Sequence, residues 1–249
     1  TYDIPSTLKA VEEGLKEIGQ FVQIGSCKMI TSETEDKDWI NNWKQYFKPF
    51  TVDDILIKPT WEEIPQEHKD KLLIQIDPGT AFGTGQHETT QLCIRAIRKY
   101  LKPNDVILDV GTGSGILAIA ALLLGAKKAV GTDLDENAIV AARENTQANQ
   151  IDPALFEVYT GNLIDDPVIK ETVGYEKYDV VVANILADVI IPLQAEVAPH
   201  LKKGGIFITS GIINTKEQAV KDAFALNQEL EVIETAYQGE WVSIIARKK

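Results

Sequence analysis

Val106-Ile107-Leu108-Asp109-Val110-Gly111-Thr112-Gly113-Ser114-Gly115-Ile116 is the stretch whose reading decides the fold of this chain. Five residues of strand character run straight into three alternating glycines, and an apolar helix begins at once. A first strand–helix turn of this kind lets a ligand approach bare backbone, because no Cβ stands in the way. The spacing is G-x-G-x-G, with Ile116 where a dinucleotide fingerprint carries its third glycine. The packing that a pyrophosphate requires is therefore missing. A glycine turn of purely structural purpose remains the alternative.

Outward from that turn the pattern alternates strand and helix, the signature of a mostly parallel sheet covered on both faces. Strands are expected at Val106–Val110, Ala129–Asp133, Phe156–Tyr159, Asp179–Ala183 and Gly205–Ser210. Helices are expected between them at Ile116–Leu124, Glu136–Asn149, Asp188–Leu201 and Thr215–Leu226. The chain then changes character: Glu231–Tyr237, a Gln238-Gly239-Glu240 turn and Trp241–Ala246 form an antiparallel hairpin. Five parallel strands closed by a hairpin predict an α/β fold with the Rossmann-like sheet of class I methyltransferases, not that of ordinary dehydrogenases.

Upstream, Leu8, Val11, Leu15 and Ile18 fall at helical spacing before Gly19, and β-like runs follow at Phe21–Ile24 and Lys28–Ile30. One helix with one or two strands cannot bury a core. Residues 1–34 therefore read as part of a small α+β module, with a stretch missing upstream. The acidic run 31–38 leads into a helix carrying Trp39, Trp43, Tyr46 and Phe47 on one face, ended by Pro49. Such a stripe docks a helix on a neighbouring domain more often than it stacks a ligand. Extended segments follow at Asp54–Ile57 and Leu72–Ile76. The expected division is 1–34, a linker of helix and extended segment over 35–64, and a catalytic domain over 65–249.

Composition excludes several classes. The longest apolar run, Ile116–Leu124, is far shorter than the roughly 20 residues of a membrane helix. The start, Thr1-Tyr2-Asp3-Ile4-Pro5, has no signal-peptide pattern. Cys27 and Cys93 cannot build a disulfide framework, and three isolated histidines give no metal signature, so a reduced cytoplasmic setting fits. A net charge of −12 repels phosphate backbones and suits a cationic partner. Oligomeric state is not legible.

Two further positions carry chemistry. Asp133 closes the second strand, 133 − 111 = 22 residues after the first glycine, where a carboxylate can accept both hydroxyls of a ribose. Asp135, directly before Glu136, is the better cap for the next helix, which leaves Asp133 free. Dinucleotide enzymes share such an acid. A methionine carboxypropyl tail, with its own carboxylate and ammonium, is the ligand that needs no third glycine. Asn184 follows the fourth strand and projects where ligands of open α/β sheets bind. Its amide oxygen can accept from an amine N–H and aim the lone pair; a turn-forming role is the alternative. The run Asp77-Pro78-Gly79-Thr80-Ala81-Phe82-Gly83-Thr84-Gly85-Gln86-His87-Glu88-Thr89-Thr90 reads as a flap over a bound cofactor, with Thr90 opening the next helix. No G-K-[ST] follows, so it is not a P-loop.

That run, together with Asn184-Ile185-Leu186-Ala187 and Glu35–Trp39, resembles the bacterial ribosomal protein L11 methyltransferases from about residue 35 to the C-terminus. The resemblance implies a ferredoxin-like recognition domain, a helical linker and a class I methyltransferase domain. It implies S-adenosyl-L-methionine as cofactor and S-adenosyl-L-homocysteine as product. It places cofactor contacts at Thr90, Gly111, Asp133 and Asn184, to which Gly113 of the turn and Phe82 and Thr84 of the flap are added. The substrate it implies is a basic ribosomal protein, L11, methylated at lysine side chains and at the N-terminal α-amine. One departure is Glu88, where the family commonly has proline.

The chemistry requires a neutral amine. A lysine of pKa about 10.4 pays roughly 4 kcal/mol to be neutral near pH 7.4, an α-amine well under 1. Desolvation and positioning can supply the difference. Asn184 and nearby carbonyls are expected to align the amine while water takes the proton. His87 is a possible base, though a histidine in such a loop is more often a structural hydrogen-bonder. A class I methyltransferase acting on RNA or a small molecule, a nicotinamide oxidoreductase and a cofactor-sensing module are the competing readings.

Overall fold

The computed structural model describes residues 4–22, 24–27, 29, 47–77 and 85–249. The chain forms two compact units, Thr1–Tyr46 and Phe47–Lys249. In the first, helix α1 spans Ile4–Ile18 and has no buried residue. The strand expected at Phe21–Ile24 does not form over its described residues: the Phe21 and Val22 amides turn back to donate to the Ile18 carbonyl. This apolar run closes the helix instead. Lys28 and Ile30 of the second expected run, and Trp39, Trp43 and Tyr46 of the aromatic stripe, lie outside the described residues; Phe47 is buried.

The second unit holds two sheets. The smaller contains β1 (Phe50–Val52), β2 (Ile55–Lys58) and β3 (Leu72–Gln75). Strands β1 and β2 are antiparallel, joined through Asp53 in the left-handed region at φ 52°, while β2 and β3 are parallel. Asp tolerates that conformation better than most side chains.

The larger sheet contains β4 (Val106–Val110), β5 (Lys128–Asp133), β6 (Phe156–Thr160), β7 (Tyr178–Asn184), β8 (Leu201–Ile213), β9 (Leu230–Gln238) and β10 (Trp241–Lys248). Their spatial order is β6-β5-β4-β7-β8-β10-β9. Strands β4 to β8 run parallel, and β10 inserts antiparallel between β8 and β9. The parallel strands and the terminal hairpin agree with the sequence. The chain winds from β4 through β5 to β6 on one side, then crosses to β7 on the other. A crevice opens at such a reversal, outside the carboxyl ends of the strands.

Helices cover both faces. They are α2 (Glu88–Tyr100), α3 (Ile116–Leu123), α4 (Glu136–Ala148), α5 (Pro167–Val173), α6 (Ala187–Val197) and α7 (Glu217–Leu226). One core layer gathers Ile94, Ile97, Ile107, Ile119 and Val182, and the other Leu108, Val181, Leu193, Phe207 and Phe224. Successive strand residues supply opposite layers, as the two-residue period requires. Helix α3 is apolar all round because it is enclosed all round.

Several elements differ from expectation. Helix α6 stops at Val197, where a 3-10 turn over Ala198–His200 intervenes, and β8 starts at Leu201 and runs on to Ile213. Helix α5 was not expected; Asp166 caps it by accepting from the Val168 and Ile169 amides, with Pro167 in its first turn. Helix α2 begins at Glu88, so Thr90 is its third residue and does not open it.

Candidate functional site

The three glycines of the β4–α3 turn have divided tasks. All are left-handed, Gly111 at φ 71°, Gly113 at 53° and Gly115 at 80°. A Cβ on Gly111 would stand 2.7 Å from Ile185 Cγ2, so a side chain there would collide with the wall built by the end of β7. A Cβ on Gly115 would meet that of Ala142 at 3.1 Å; this glycine serves the packing of α3 on α4. The Gly111 and Thr112 amides both donate to the Thr132 carbonyl, at 2.8 and 3.0 Å, which fixes the bend against β5.

Asp133 ends β5 and completes that lock. Its Oδ2 accepts from the Gly113 amide at 2.8 Å and its Oδ1 from the Asp135 amide at 3.0 Å. The capping task falls on Asp135, whose Oδ1 accepts from the Asn137 amide at 2.9 Å. The Asp133 carboxylate thus keeps lone pairs for a ligand in the cavity it lines.

Asn184 is the last residue of β7, in register with Ser210 of β8. Its Nδ2 donates to Thr90 Oγ1 at 3.2 Å, which fixes the amide's orientation. Its Oδ1 is buried with no hydrogen-bond partner among the described residues. Such an acceptor costs about 1–3 kcal/mol unless a ligand donates to it. Thr90 is fully buried behind Asn184, and it is Thr89 that reaches the wall.

These groups surround one cavity of about 630 Å³, within the usual span for a small-molecule cleft. The ends of successive strands line it: Asn162 after β6, Asp133 and Leu134 at β5, Gly111 and Gly113 after β4, Asn184 at β7, Gly211 in β8 and Trp241 opening β10. The structure brings Gly111, Gly113, Asp133 and Asn184 together on that wall. Phe82 and Thr84 lie outside the described residues.

His87 is the cap of α2. Its Nδ1 lies 3.3 Å from the Thr89 amide and 2.9 Å from Thr89 Oγ1, and the ring meets Trp241 edge-on at 4.8 Å between centroids. An Nδ1 that accepts from the Thr89 amide is already committed.

Sequence reasoning missed three groups. Asp109 lies fully buried under the turn, its Oδ2 accepting from Thr112 Oγ1 at 2.8 Å and the Ala118 amide at 3.2 Å, its Oδ1 unpartnered among the described residues. Burial pushes its carboxyl up to about 7, and the nearby charge of Asp133 acts in the same direction. Asn162 follows Gly161 at the end of β6, a cue that was available. Trp241 opens the expected antiparallel strand, but its place at the cavity follows from the pairing of β10 with β8, which no local pattern announces. Among the described residues no group of three or more His, Cys, Asp or Glu could hold a metal, and no helix is long and apolar enough to cross a membrane.

The comparisons with known proteins agree with this geometry. The family model described as ribosomal protein L11 methyltransferase (PrmA) matches residues 3–249. A protein of Lachnospira eligens named ribosomal protein L11 methyltransferase is 54% identical over 99% of this chain and 78% of its own length. One of the same name from Agathobacter rectalis is 55% identical over 99% of this chain and 77% of its own. A crystal structure of ribosomal protein L11 methylase from Lactobacillus delbrueckii subsp. bulgaricus superposes with a TM-score of 0.72 at 33% identity, over 82% of this chain and all of that one. The glycine turn, the acid of β5 and the amide of β7 thus sit in a chain matched almost end to end, and it belongs to the ribosomal protein L11 methyltransferase family.

Proposed function

We propose that this chain transfers methyl groups from S-adenosyl-L-methionine to amines of ribosomal protein L11, at lysine side chains and the N-terminal α-amine, and releases S-adenosyl-L-homocysteine. The observation that carries the reading is the buried Asn184 Oδ1, without a hydrogen-bond partner among the described residues, in the same cavity as the bare turn of Gly111 and Gly113. The residues fit the cofactor. The bare turn of Gly111 and Gly113 would receive the amino-acid tail, Asp133 would accept from the ribose, and Leu134 and Asn162 would flank the base. Thr90 positions the Asn184 amide, and Phe82 and Thr84 of the flap cover the bound molecule.

When bound, the cofactor supplies a methyl group on a sulfonium that leaves as a neutral thioether, so alignment matters more than acid catalysis. Asn184 Oδ1 accepts from the amine N–H and directs the lone pair inward. The apolar wall of Ile185, Leu186 and Val189 desolvates the amine, which lowers its pKa and favours the neutral form. Water accepts the proton, because His87 is engaged as a helix cap.

Residues 1–34 supply part of a substrate-recognition module, residues 35–64 a linker, and residues 65–249 the transferase. The net charge of −12 favours a basic ribosomal protein in the cytoplasm and disfavours direct contact with nucleic acid. Two measurements test the reading. Purified L11 incubated with protein and cofactor should gain mass in steps of one methyl, and ribosomal RNA should gain none. Calorimetry should detect S-adenosylhomocysteine binding, weakened roughly tenfold or more in Asp133→Ala. An absence of binding heat, or transfer to RNA alone, refutes the proposal.

A further inference from the structure

The cavity has two chemically different ends, and the sheet order separates them. Asp133 and Asp135 are the carboxylates among the described lining residues, and both belong to the end of β5. Asn184 stands two strand positions further, on β7. Beyond it, across β8, comes Trp241, which opens β10. Because β10 is antiparallel, its first residue lies at the carboxyl ends of the parallel strands, paired with Ile213. With strands about 4.8 Å apart, β10 lies roughly 10 Å from β7 across the sheet, on the side away from Asp133. Trp241 pairs with Ile213, three residues beyond the Ser210 that faces Asn184, so its backbone stands a further ~10 Å along the strands. The described lining at this end offers two rings, Trp241 and His87, and no carboxylate.

Trp241 is half-buried and well held. His87 packs against it edge-on at 66°, and His87 is itself fixed as the cap of α2. Gln238, its partner across the hairpin, is tied to α2 by Arg95 Nη1 at 2.6 Å and Gln91 at 3.0 Å.

We infer that the Trp241 face, braced by His87, is a subsite for methylated ammonium groups and sets how many methyls each amine receives. The inference rests on the amine-methylating function proposed above. Each transfer forms an N–C bond from the amine lone pair while the S–C electron pair stays on sulfur. The resulting ammonium then releases one proton to water before the next transfer. Each round also removes an N–H, and a neutral substrate amine carrying two methyls has none left to donate to Asn184 Oδ1. Hydrogen bonding therefore fails where the last methyl is added. An indole face does not share this weakness, because it attracts methylated ammonium without any N–H.

The test compares wild type, Trp241→Phe and Trp241→Leu, with thermal melts to establish folding. Under excess cofactor, Trp241→Leu should keep the first transfer to L11 within about threefold and slow the last roughly tenfold, so partly methylated product accumulates. Trp241→Phe should restore the wild-type distribution, and S-adenosylhomocysteine affinity should be unchanged in all three. A second arm titrates lysine amide and trimethyl-lysine amide into each protein loaded with S-adenosylhomocysteine. Wild type and Trp241→Phe should prefer the trimethylated probe, and Trp241→Leu should not. Identical methyl distributions, equal slowing of every step, lost S-adenosylhomocysteine affinity or absence of the probe preference would overturn the inference. The second arm reads Trp241 even where L11 stays unmodified, an outcome that would refute the proposed substrate alone.

Discussion

Asp109→Asn should remove a titration from the core without removing a hydrogen bond. The Asp109 carboxyl is fully enclosed, accepts through Oδ2 from Thr112 and Ala118, and leaves Oδ1 without a partner among the described residues. An asparagine can place its oxygen where Oδ2 sits and its nitrogen where Oδ1 sits, so it mimics the protonated acid. The folded carboxyl titrates at about 7 against an ordinary 3.8. Between those values the folded chain holds a proton that the unfolded chain has released, so stability falls as pH rises, by about 1.4 kcal/mol per unit. From pH 5 to 7 this amounts to roughly 2–3 kcal/mol, and the curve levels above 7. For a unit of this size the loss corresponds to roughly 5–10 °C in Tm. The assay is urea or thermal unfolding of both proteins at several values between pH 5 and 8. The quantity of interest is the wild-type minus variant difference, in which other titrating groups cancel. The variant should gain on wild type by about 2–3 kcal/mol across the range. Parallel curves, agreeing within about 0.5 kcal/mol at every pH, would refute the reasoning.

Asn184→Ala should lower methyl transfer to L11 at least about tenfold, because the amine loses its acceptor; wild-type turnover in this variant would remove Asn184 from the mechanism. His87→Ala should cost about 1 kcal/mol of stability through the lost cap while cofactor binding and measurable turnover persist. Abolished turnover with intact cofactor affinity would instead make His87 the base. His200 is buried with Nδ1 2.8 Å from the Gly174 carbonyl, and burial holds its imidazole below the ordinary value of 6.5. Its neutral form is therefore the one the fold accepts. This part of the stability should be present above pH 6.5 and decline as pH falls below it, and His200→Gln should flatten that acid limb in urea titrations.

What the sequence disclosed was what repeats or what is local. The alternation of β4 to β8 with their helices follows from apolar runs bounded by glycine, asparagine and aspartate, and each run needs no distant knowledge to be read. Asp135 was legible as the α4 cap because capping is settled within three residues. Where a partner far along the chain decides, the reading failed. Phe21-Val22 has strand composition, but a strand needs a neighbour, and here the amides return to Ile18. Asp109 looked like one more strand residue, since its burial depends on α3 closing over it. Trp241 enters the cavity because β10 pairs with β8 in preference to extending the parallel order, and no window around residue 241 encodes that choice. Helix α5 is the exception, a local signal overlooked: Asp166-Pro167 is a cap followed by a first-turn proline.

One side chain ties the two sheets of the second unit together at the cofactor turn. Asn145 of α4 is buried, donates through Nδ2 to the Ser114 carbonyl at 2.9 Å and accepts at Oδ1 from the Asp77 amide at 2.9 Å. One turn further along, Asn149 receives the Gln75 amide at 2.8 Å and returns a bond to the Gln75 carbonyl at 2.6 Å. Two carboxamides on a helix face thus stand in for a neighbouring strand at the open edge of β3. Asp77 is fixed a second time, since its carboxylate accepts from the Thr60 amide and hydroxyl at 2.7 Å each. The residue that precedes the 78–84 segment is therefore anchored to the same asparagine that holds the carbonyl between Gly113 and Gly115. On the far side of that segment, Gly85 at φ 86° has no room for a Cβ, which would lie 2.7 Å from Ile116 Cδ1. Both ends of the flap sequence are thus referred to the turn that opens α3. The turn reaches Asp77 through two hydrogen bonds in series, by way of Asn145, and reaches Gly85 through the close approach of Ile116.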